Sequence, residues 1–253
     1  TFLPSFLPSS SFFFFFFFFL SISFQAAILA LLAADGDCVV QVVRAEPGRL
    51  VLEFANGGSV LEYLHRNAHV LDDATVVDMV RQMFAAVARL HARGIVHNDL
   101  KADNFLVFVH ADGSITVKVA DLGLARVVGA AAPAGLSVHG AGLFTAPEVL
   151  ARAAGPSFAS DMWALGATVF QMVTGQFPFA IKGDTAVFQI GTYYGKPDVD
   201  VMADLLDSML VMDPAERPLF AADLLDLVAL LMCVDPAARC SAQDVAQALL
   251  QPP

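Results

Sequence analysis

A short stretch near the middle of the chain brings together side chains that could move a phosphoryl group. It reads I-V-H-N-D-L-K-A-D-N over residues 95–104, and it places Asp99, Lys101 and Asn104 within six positions. Further on, Asp121 stands just past an apolar, strand-like run. A carboxylate and an amide oxygen can together hold a divalent cation, because hard cations take oxygen ligands. A second carboxylate is then left to accept a hydroxyl proton, and the lysine can meet phosphate charge.

Regular elements are predicted on both sides of this loop, where they would hold it in place. Residues 73–92 carry apolar side chains at helical spacing, with aspartates placed to cap the start. Residues 105–109 and 115–119 alternate like two strands around an Asp-Gly turn, which predicts a hairpin. Beyond Ser160 the pattern is again helical, and Gly175 is the predicted end of that helix.

The segment before the loop is predicted to be short and mixed. Residues 26–33 form an apolar helix candidate. Residues 38–43 and 49–54 have the pattern of two strands, separated by a turn at residues 46–48. Asn56-Gly57-Gly58 then breaks the regular structure.

Taken in order, these motifs resemble those of the eukaryotic-type protein kinases. Residues 97–104 resemble the catalytic loop H-R-D-L-K-x-x-N, and Asp121-Leu122-Gly123 resembles the D-F-G metal motif. One such motif is a weak signal, whereas five in the right order are a strong one. The other three motifs are A-P-E at residues 146–148, D-x-W-x-x-G at 161–166 and D-P-x-x-R-P at 213–218. Residues 50–55 in addition resemble the family's hinge strand.

The resemblance covers roughly residues 26–231 and implies an α+β, protein-kinase-like fold. Its large lobe is expected to be mainly helical and to span residues 56–253. Residues 26–55 would then be the remnant of a truncated, β-rich small lobe. Residues 1–25 form a separate, Phe-rich, low-complexity segment.

What the resemblance implies about activity is a serine/threonine kinase that transfers the γ-phosphate of ATP to a protein hydroxyl. Lys101 in the loop resembles the Ser/Thr-type rather than the tyrosine-type enzymes. The resemblance implies that Asp99 is the base that orients the substrate hydroxyl and accepts its proton, and that Lys101 contacts the transferred phosphoryl group. Asn104 and Asp121 would be the Mg²⁺ ligands. The backbone of Glu53 and Ala55 would bind adenine, and Leu106 would lie beneath the adenine ring. Structural roles are implied for His97, Gly123, Glu148, Asp161 and Arg217, the last as the partner of Glu148.

Several family features are missing from the sequence. No glycine precedes Gly36 and no lysine precedes Lys101, so a Gly-rich loop and a strand lysine are both absent. Gln25 stands where the family has an ion-pairing glutamate, and Asn98 replaces the arginine that reads an activating phosphate. We therefore expect the chain as given to bind Mg-ATP weakly. A pseudokinase or kinase-fold binding module is the alternative function.

The Phe-rich amino-terminal segment has two interpretations. Residues 12–34 are apolar and long enough for a transmembrane helix, which would make the protein a membrane-tethered regulator. Alternatively, residues 1–24 use amino acids with pyrimidine-rich codons and are followed by Gln25, whose codon can be CAG. A pyrimidine tract before CAG is typical of an intron end, so we favour translated intron, with genuine protein beginning near Ala26.

Composition narrows the classes of partner and compartment. The net charge is −11, and no basic patch is present to track phosphates, which argues against nucleic-acid binding. The three cysteines lack metal-ligand spacing and predict reduced thiols in an intracellular, cytoplasmic protein, with a membrane location as the alternative.

The carboxyl-terminal part contains a short repeated sequence. The run from Asp204 to Arg217 recurs 22 residues later, as Asp226 to Arg239, and each copy includes an Asp-Pro-Ala-x-Arg sequence. Two copies are too few for a solenoid. The sequence favours Arg217 as the partner of Glu148 but leaves Arg239 open as the rival.

Overall fold

The computed structural model describes residue 22 and residues 24–33, 38–129, 142–150, 152–175 and 224–250. Within these ranges the chain forms α-helices and three small antiparallel sheets, which is the predicted α+β class. The Phe-rich run and Arg217 lie outside the described residues.

The small-lobe remnant consists of one helix and one hairpin. Helix α1 covers residues 24–32 and buries Ile28, Leu29 and Leu32, which confirms the predicted apolar helix. Strands β1, Val42–Glu46, and β2, Arg49–Leu52, pair antiparallel.

The predicted start of the first strand is wrong by four residues. The stretch at residues 38–40 does not pair with β2 but lies alongside a large-lobe strand. The Val40 amide donates to the Val119 carbonyl at 3.1 Å, and the Val119 amide donates to the Cys38 carbonyl at 3.0 Å. These bonds attach the remnant to the large lobe through residues 38–40. The Gln41 carbonyl instead accepts from the Glu53 amide at 3.0 Å, just past β2.

A helix that the sequence interpretation missed follows the hinge region. The short strand β3, Gly58–Ser59, leads directly into α2, Val60–Asn67. The Glu62 amide donates to the Ser59 hydroxyl at 3.2 Å, and the Ser59 amide donates to the Glu62 carboxylate at 3.0 Å. This reciprocal capping box was the signal in the sequence, since Ser-x-x-Glu before apolar residues predicts a helix start.

The predicted helix and hairpin around the loop are confirmed at their bounds. Helix α3, Asp73–Ala92, is capped by Asp72, and the strands β5, Phe105–Val109, and β6, Ile115–Val119, pair in register. Two further short strands, β4 at Ile95–Val96 and β7 at Arg126–Val127, pair with each other and flank the loop.

The remaining helices build the core of the large lobe. These are α4, Pro147–Leu150; α5, Phe158–Thr174; α6, Leu224–Leu231; and α7, Ala242–Ala248. Helix α5 ends at Gly175, as predicted, because its φ of 71° suits glycine. Helix α3 packs against β6 and α7, and α5 packs against α6. The core thus lies directly behind the loop at residues 95–104.

The structure also bears on membrane insertion. The longest described helix, α3, has charged side chains along its length, and none of the helices in the described ranges is both long and apolar enough to cross a bilayer.

Candidate active site

The loop is anchored from below by Asp161, a carboxylate near the start of α5. Asp161 is only 1% exposed, and it accepts hydrogen bonds from the backbone amides of His97 at 2.8 Å and Asn98 at 2.9 Å. The Nε2 atom of His91 lies 3.0 Å from the same carboxylate. A buried carboxylate needs several donors to offset its lost hydration, and here these donors fix the backbone that leads to Asp99.

His97 connects the loop to the strand that precedes Asp121. Its fully buried ring places Nε2 2.9 Å from the Ala120 carbonyl, while the Asp99 amide donates to Nδ1 at 3.3 Å. An acceptor at Nδ1 and a carbonyl at Nε2 assign the proton to Nε2 of a neutral imidazole. The structural role expected for His97 therefore has a geometric basis, although the expectation came from resemblance alone.

The three loop residues predicted to share the chemistry lie in direct contact. Lys101 Nζ donates to Asp99 Oδ2 at 3.0 Å, and Asn104 Nδ2 donates to the same oxygen at 3.0 Å. Asn104 Nδ2 also donates to the Asp99 backbone carbonyl at 2.7 Å. The Asp99 side chain is 10% exposed and that of Lys101 28% exposed. The carboxylate is thus oriented by two donors while the site stays open to solvent.

Asp121 is brought next to this cluster through the backbone. The Ala120 amide donates to the Asn104 carbonyl at 2.8 Å, so Asp121 immediately follows a residue bonded to Asn104. Asp121 is exposed, adopts a left-handed φ of 53°, and accepts a bond from the Gly123 amide at 3.2 Å. A non-glycine residue in this region is uncommon, and such strain concentrates at functional sites.

The donor set at Asn104 and Asp121 fits a magnesium ion. The Asn104 amide nitrogen is committed to Asp99, so the atom it can present to a cation is its amide oxygen. Together with the exposed Asp121 carboxylate this makes a pair of hard oxygen ligands. Mg²⁺ is commonly held by one or two carboxylates with substrate phosphates and water.

Helix α1 reaches the same region through Gln25. A Cβ atom built on Gly123 would lie 2.7 Å from Gln25 Nε2 and 3.1 Å from Asp121 Oδ1. A side chain at this position would therefore require the Gln25 side chain to shift. In the sequence as given, Gln25 aligns with the family's ion-pairing glutamate, and it places a neutral amide beside the Asp121 turn.

The predicted adenine-binding residues lie where β2 passes into the large lobe. Glu53 and Ala55 follow β2, and the chain then bonds to the hairpin through the Gly57 amide and the Val107 carbonyl at 2.9 Å. Leu106 is half-buried on β5, next to Val107. Hydrogen bonds thus join the hinge to the strand that carries Leu106.

Glu148 is paired with Arg239, of the second copy of the repeated sequence, where the sequence had favoured Arg217. Arg239 Nη1 and Nη2 lie 2.8 and 2.9 Å from the two carboxylate oxygens. Sequence reasoning could not single out Arg239, because both copies offer the same Asp-Pro-Ala-x-Arg residues. It also missed Lys118, a buried lysine on β6 that binds Glu53.

A helical lobe that carries an Asp-Lys-Asn loop against an Asp-Leu-Gly turn defines a phosphotransferase fold of the kinase type. Comparison with known families agrees, since the sequence model of the protein kinase domain matches residues 40–250. The chain belongs to the protein kinase family.

Curated relatives are serine/threonine kinases of greater length. The chain is 35% identical to the mitogen-activated protein kinase kinase kinase YODA of Arabidopsis thaliana, over 70% of this chain and 20% of that protein. It is 33% identical to human serine/threonine-protein kinase A-Raf, over 68% of this chain and 30% of that protein. It is 34% identical to the ovarian-specific serine/threonine-protein kinase Lok of Drosophila melanogaster, over 72% of this chain and 40% of that protein. The chain thus spans less than half the length of these relatives.

A solved structure confirms the fold. The crystal structure of the Rad53 kinase domain and SCD2 in complex with AMPPNP superposes with a TM-score of 0.59. The superposition covers 89% of this chain and 76% of the Rad53 chain, and the two sequences are 24% identical.

Proposed function

We propose that the chain carries the catalytic lobe of a serine/threonine protein kinase, with Asp99 as the base for the substrate hydroxyl. The observation that carries this proposal is the position of the Asp99 carboxylate, which Lys101 and Asn104 both hold at 3.0 Å. A base must be oriented before it can accept a proton from an incoming hydroxyl. The serine/threonine kinases among the relatives support the same class of acceptor.

In the proposed reaction, a protein hydroxyl oxygen forms a bond to the γ-phosphorus of ATP. The bond from that phosphorus to the bridging oxygen breaks, ADP leaves, and the hydroxyl proton passes to Asp99. Lys101 lies beside Asp99 and would neutralise charge on the transferred group. Asn104 and Asp121 would hold Mg²⁺, which supplies charge neutralisation of the phosphates when bound. The Glu53 and Ala55 backbone would bind adenine over Leu106.

We infer that the 253-residue chain by itself binds Mg-ATP weakly. With no glycine before Gly36 and no lysine before Lys101, the given chain lacks the Gly-rich loop and the strand lysine that would hold the α- and β-phosphates. Isothermal titration calorimetry of the full chain with Mg-ATP tests this, and tight binding would show the inference to be wrong.

The catalytic proposal is tested by phosphate transfer at saturating Mg-ATP to a degenerate library of Ser- and Thr-containing peptides. Asp99→Asn should lower the rate by about 10²–10⁴-fold, which is the usual contribution of a general base. Asp103→Asn is the matched control, because Asp103 is exposed on the same loop. Equal rates in the two variants would remove Asp99 from its proposed role.

One observation favours the alternative of a kinase-fold binding module. Gln25 places an amide, not a carboxylate, against the Asp121 turn, and the given sequence has no lysine before Lys101 that could act as the family's nucleotide-binding lysine. The transfer assay separates the two functions. A well-folded chain with no transfer above the Asp99→Asn background would support the binding module.

Compartment and partners follow from this proposal. We infer an intracellular protein whose partner is a protein substrate. Membrane tethering depends on residues 12–34, about half of which lie outside the described ranges, and it stays a hypothesis that fractionation of the native protein can test.

A further inference from the structure

A buried lysine lies beneath the hinge, in a position that no family motif led us to expect. Lys118 of β6 is 6% exposed, and its Nζ donates to both carboxylate oxygens of Glu53, at 2.8 and 3.1 Å. The same Nζ lies 4.7 Å from the centre of the Phe108 ring. A buried ammonium group is stable only when it has close polar or charged partners. The position of Lys118 Nζ is therefore fixed by its contacts with Glu53 and Phe108.

Glu53 is held from a second direction by the residue that precedes β1. The Gln41 amide donates to Glu53 Oε1 at 2.8 Å, and the Glu53 amide donates to the Gln41 carbonyl at 3.0 Å. Three chain segments thus meet at one glutamate: the hinge, the stretch at residues 38–41, and strand β6. The side chain of Glu53 cannot turn without breaking contacts to both of the other segments.

The lysine also lies on the face that carries the proposed floor of the adenine site. Lys118 stands directly opposite Leu106 in the antiparallel pair of β5 and β6. Directly opposed residues project to the same face of a sheet. The Lys118 stem therefore lies beside Leu106 while its ammonium reaches Glu53, and it links the floor of the site to the hinge.

We infer that Lys118 is a positioning residue for purine recognition. By holding the Glu53 side chain it fixes the Glu53 peptide, whose carbonyl would accept the 6-amino group of adenine. Lys118 itself touches neither base nor phosphate in this arrangement. The inference rests on the proposed nucleotide function, and it adds the residue that sets the selectivity of the hinge.

The test compares adenosine with inosine on the full chain, using ligand-observed NMR titrations. Inosine presents an oxygen where adenosine presents an amino group, so a fixed carbonyl at Glu53 rejects it. The chain as given should bind adenosine at least about 10-fold more tightly than inosine. Lys118→Met should bring that ratio to within about 2-fold of unity. Lys118→Arg keeps the cation, so it should retain a larger adenosine preference than Lys118→Met. Arg44→Met, at an exposed site on β1, is the control and should not alter the ratio.

Lys118→Met leaves Glu53 buried without its cation and risks unfolding, so a second variant is needed. Glu53→Gln combined with Lys118→Met removes both charges and should keep the fold by circular dichroism, yet lose the adenosine preference. If either variant folds and keeps the preference of the unaltered chain, the inference is wrong. If the unaltered chain itself shows no adenosine binding, the proposed nucleotide function fails and the inference fails with it. The two failures are therefore distinguishable.

Discussion

Arg239 and Glu148 form a bidentate ion pair that joins the carboxyl-terminal helices to the segment after the catalytic loop, 91 residues away in sequence. The Arg239 side chain is completely buried, and its guanidinium lies 5.1 Å from the centre of the Trp163 ring. Its other bonds go to the backbone carbonyls of Ala159, Cys233 and Val234. A planar guanidinium suits this fork of acceptors, whereas a lysine would not.

The pair predicts which copy of the repeated sequence stabilises the lobe. Arg239→Ala should lower the free energy of unfolding by about 3–5 kcal/mol, because it leaves a largely buried Glu148 carboxylate without its cation. Urea denaturation followed by circular dichroism measures the change. Arg217→Ala is the matched control and should cost less than about 1 kcal/mol. If Arg217→Ala lowered the free energy of unfolding more than Arg239→Ala, Arg217 rather than Arg239 would be the partner of Glu148.

Asp161→Asn should loosen the catalytic loop without changing the size of the side chain. The amide cannot accept from His97, Asn98 and His91 together as the carboxylate does, so we expect a loss of about 1–3 kcal/mol in unfolding free energy. Hydrogen exchange should speed up at the His97 and Asn98 amides. If both amides stay protected in the variant, Asp161 is not their anchor.

The backbone at Asn98 predicts an unusual tolerance for glycine. Its φ is 66°, and asparagine is among the few residues that adopt this conformation readily. Asn98→Val should cost about 1–3 kcal/mol through strain. Asn98→Gly should be much milder, since it loses only the 3.3 Å bond from the side-chain Nδ2 of Asn98 to the Leu124 carbonyl. Thermal unfolding of both variants ranks them, and equal losses would argue against strain at this position.

Contact between α1 and the Asp121 turn predicts coupled substitutions. Gly123→Ala would place a Cβ 2.7 Å from Gln25 Nε2 and force one of them to move. Gln25→Ala should relieve that conflict, with a coupling energy of about 0.5–2 kcal/mol in a double-mutant cycle. Additive effects would mean that Gln25 does not pack on Gly123. They would thereby contradict the packing of α1 against the Asp121 turn.

Stability at acid pH should depend in part on the cap of α3. Hydrogen bonds from the Thr75 side chain and then from its backbone amide hold the pKa of Asp72 below its usual 3.8. A lowered pKa means that the cap stabilises the fold above the usual value and that this contribution is lost as the pH falls through the lower, folded-state pKa. Asp72→Asn should remove this part of the pH dependence. Identical acid denaturation curves for the two proteins would contradict the cap's role.

Local pattern decided much of the secondary structure and the membership of the catalytic cluster. The bounds of α3, the hairpin of β5 and β6, and the end of α5 at Gly175 all follow from helical or alternating spacing and from turn residues. Asp99, Lys101 and Asn104 could be grouped from the sequence because a six-residue loop keeps them close in any fold. The start of helix α2 is likewise encoded locally, in the capping box formed by Ser59 and Glu62.

Only the tertiary structure decided the partners that lie far apart in the chain. Arg217 and Arg239 have nearly the same neighbours in sequence, so nothing local distinguishes them, and packing of the last helices assigns Glu148 to Arg239. In the sequence, Lys118 is indistinguishable from an ordinary strand residue. Its ion pair with Glu53, 65 residues away, is formed only when the fold brings β6 next to the hinge. The physical reason is that capping and periodicity act within a few residues, whereas burial of an ion pair depends on which distant segments exclude water from it.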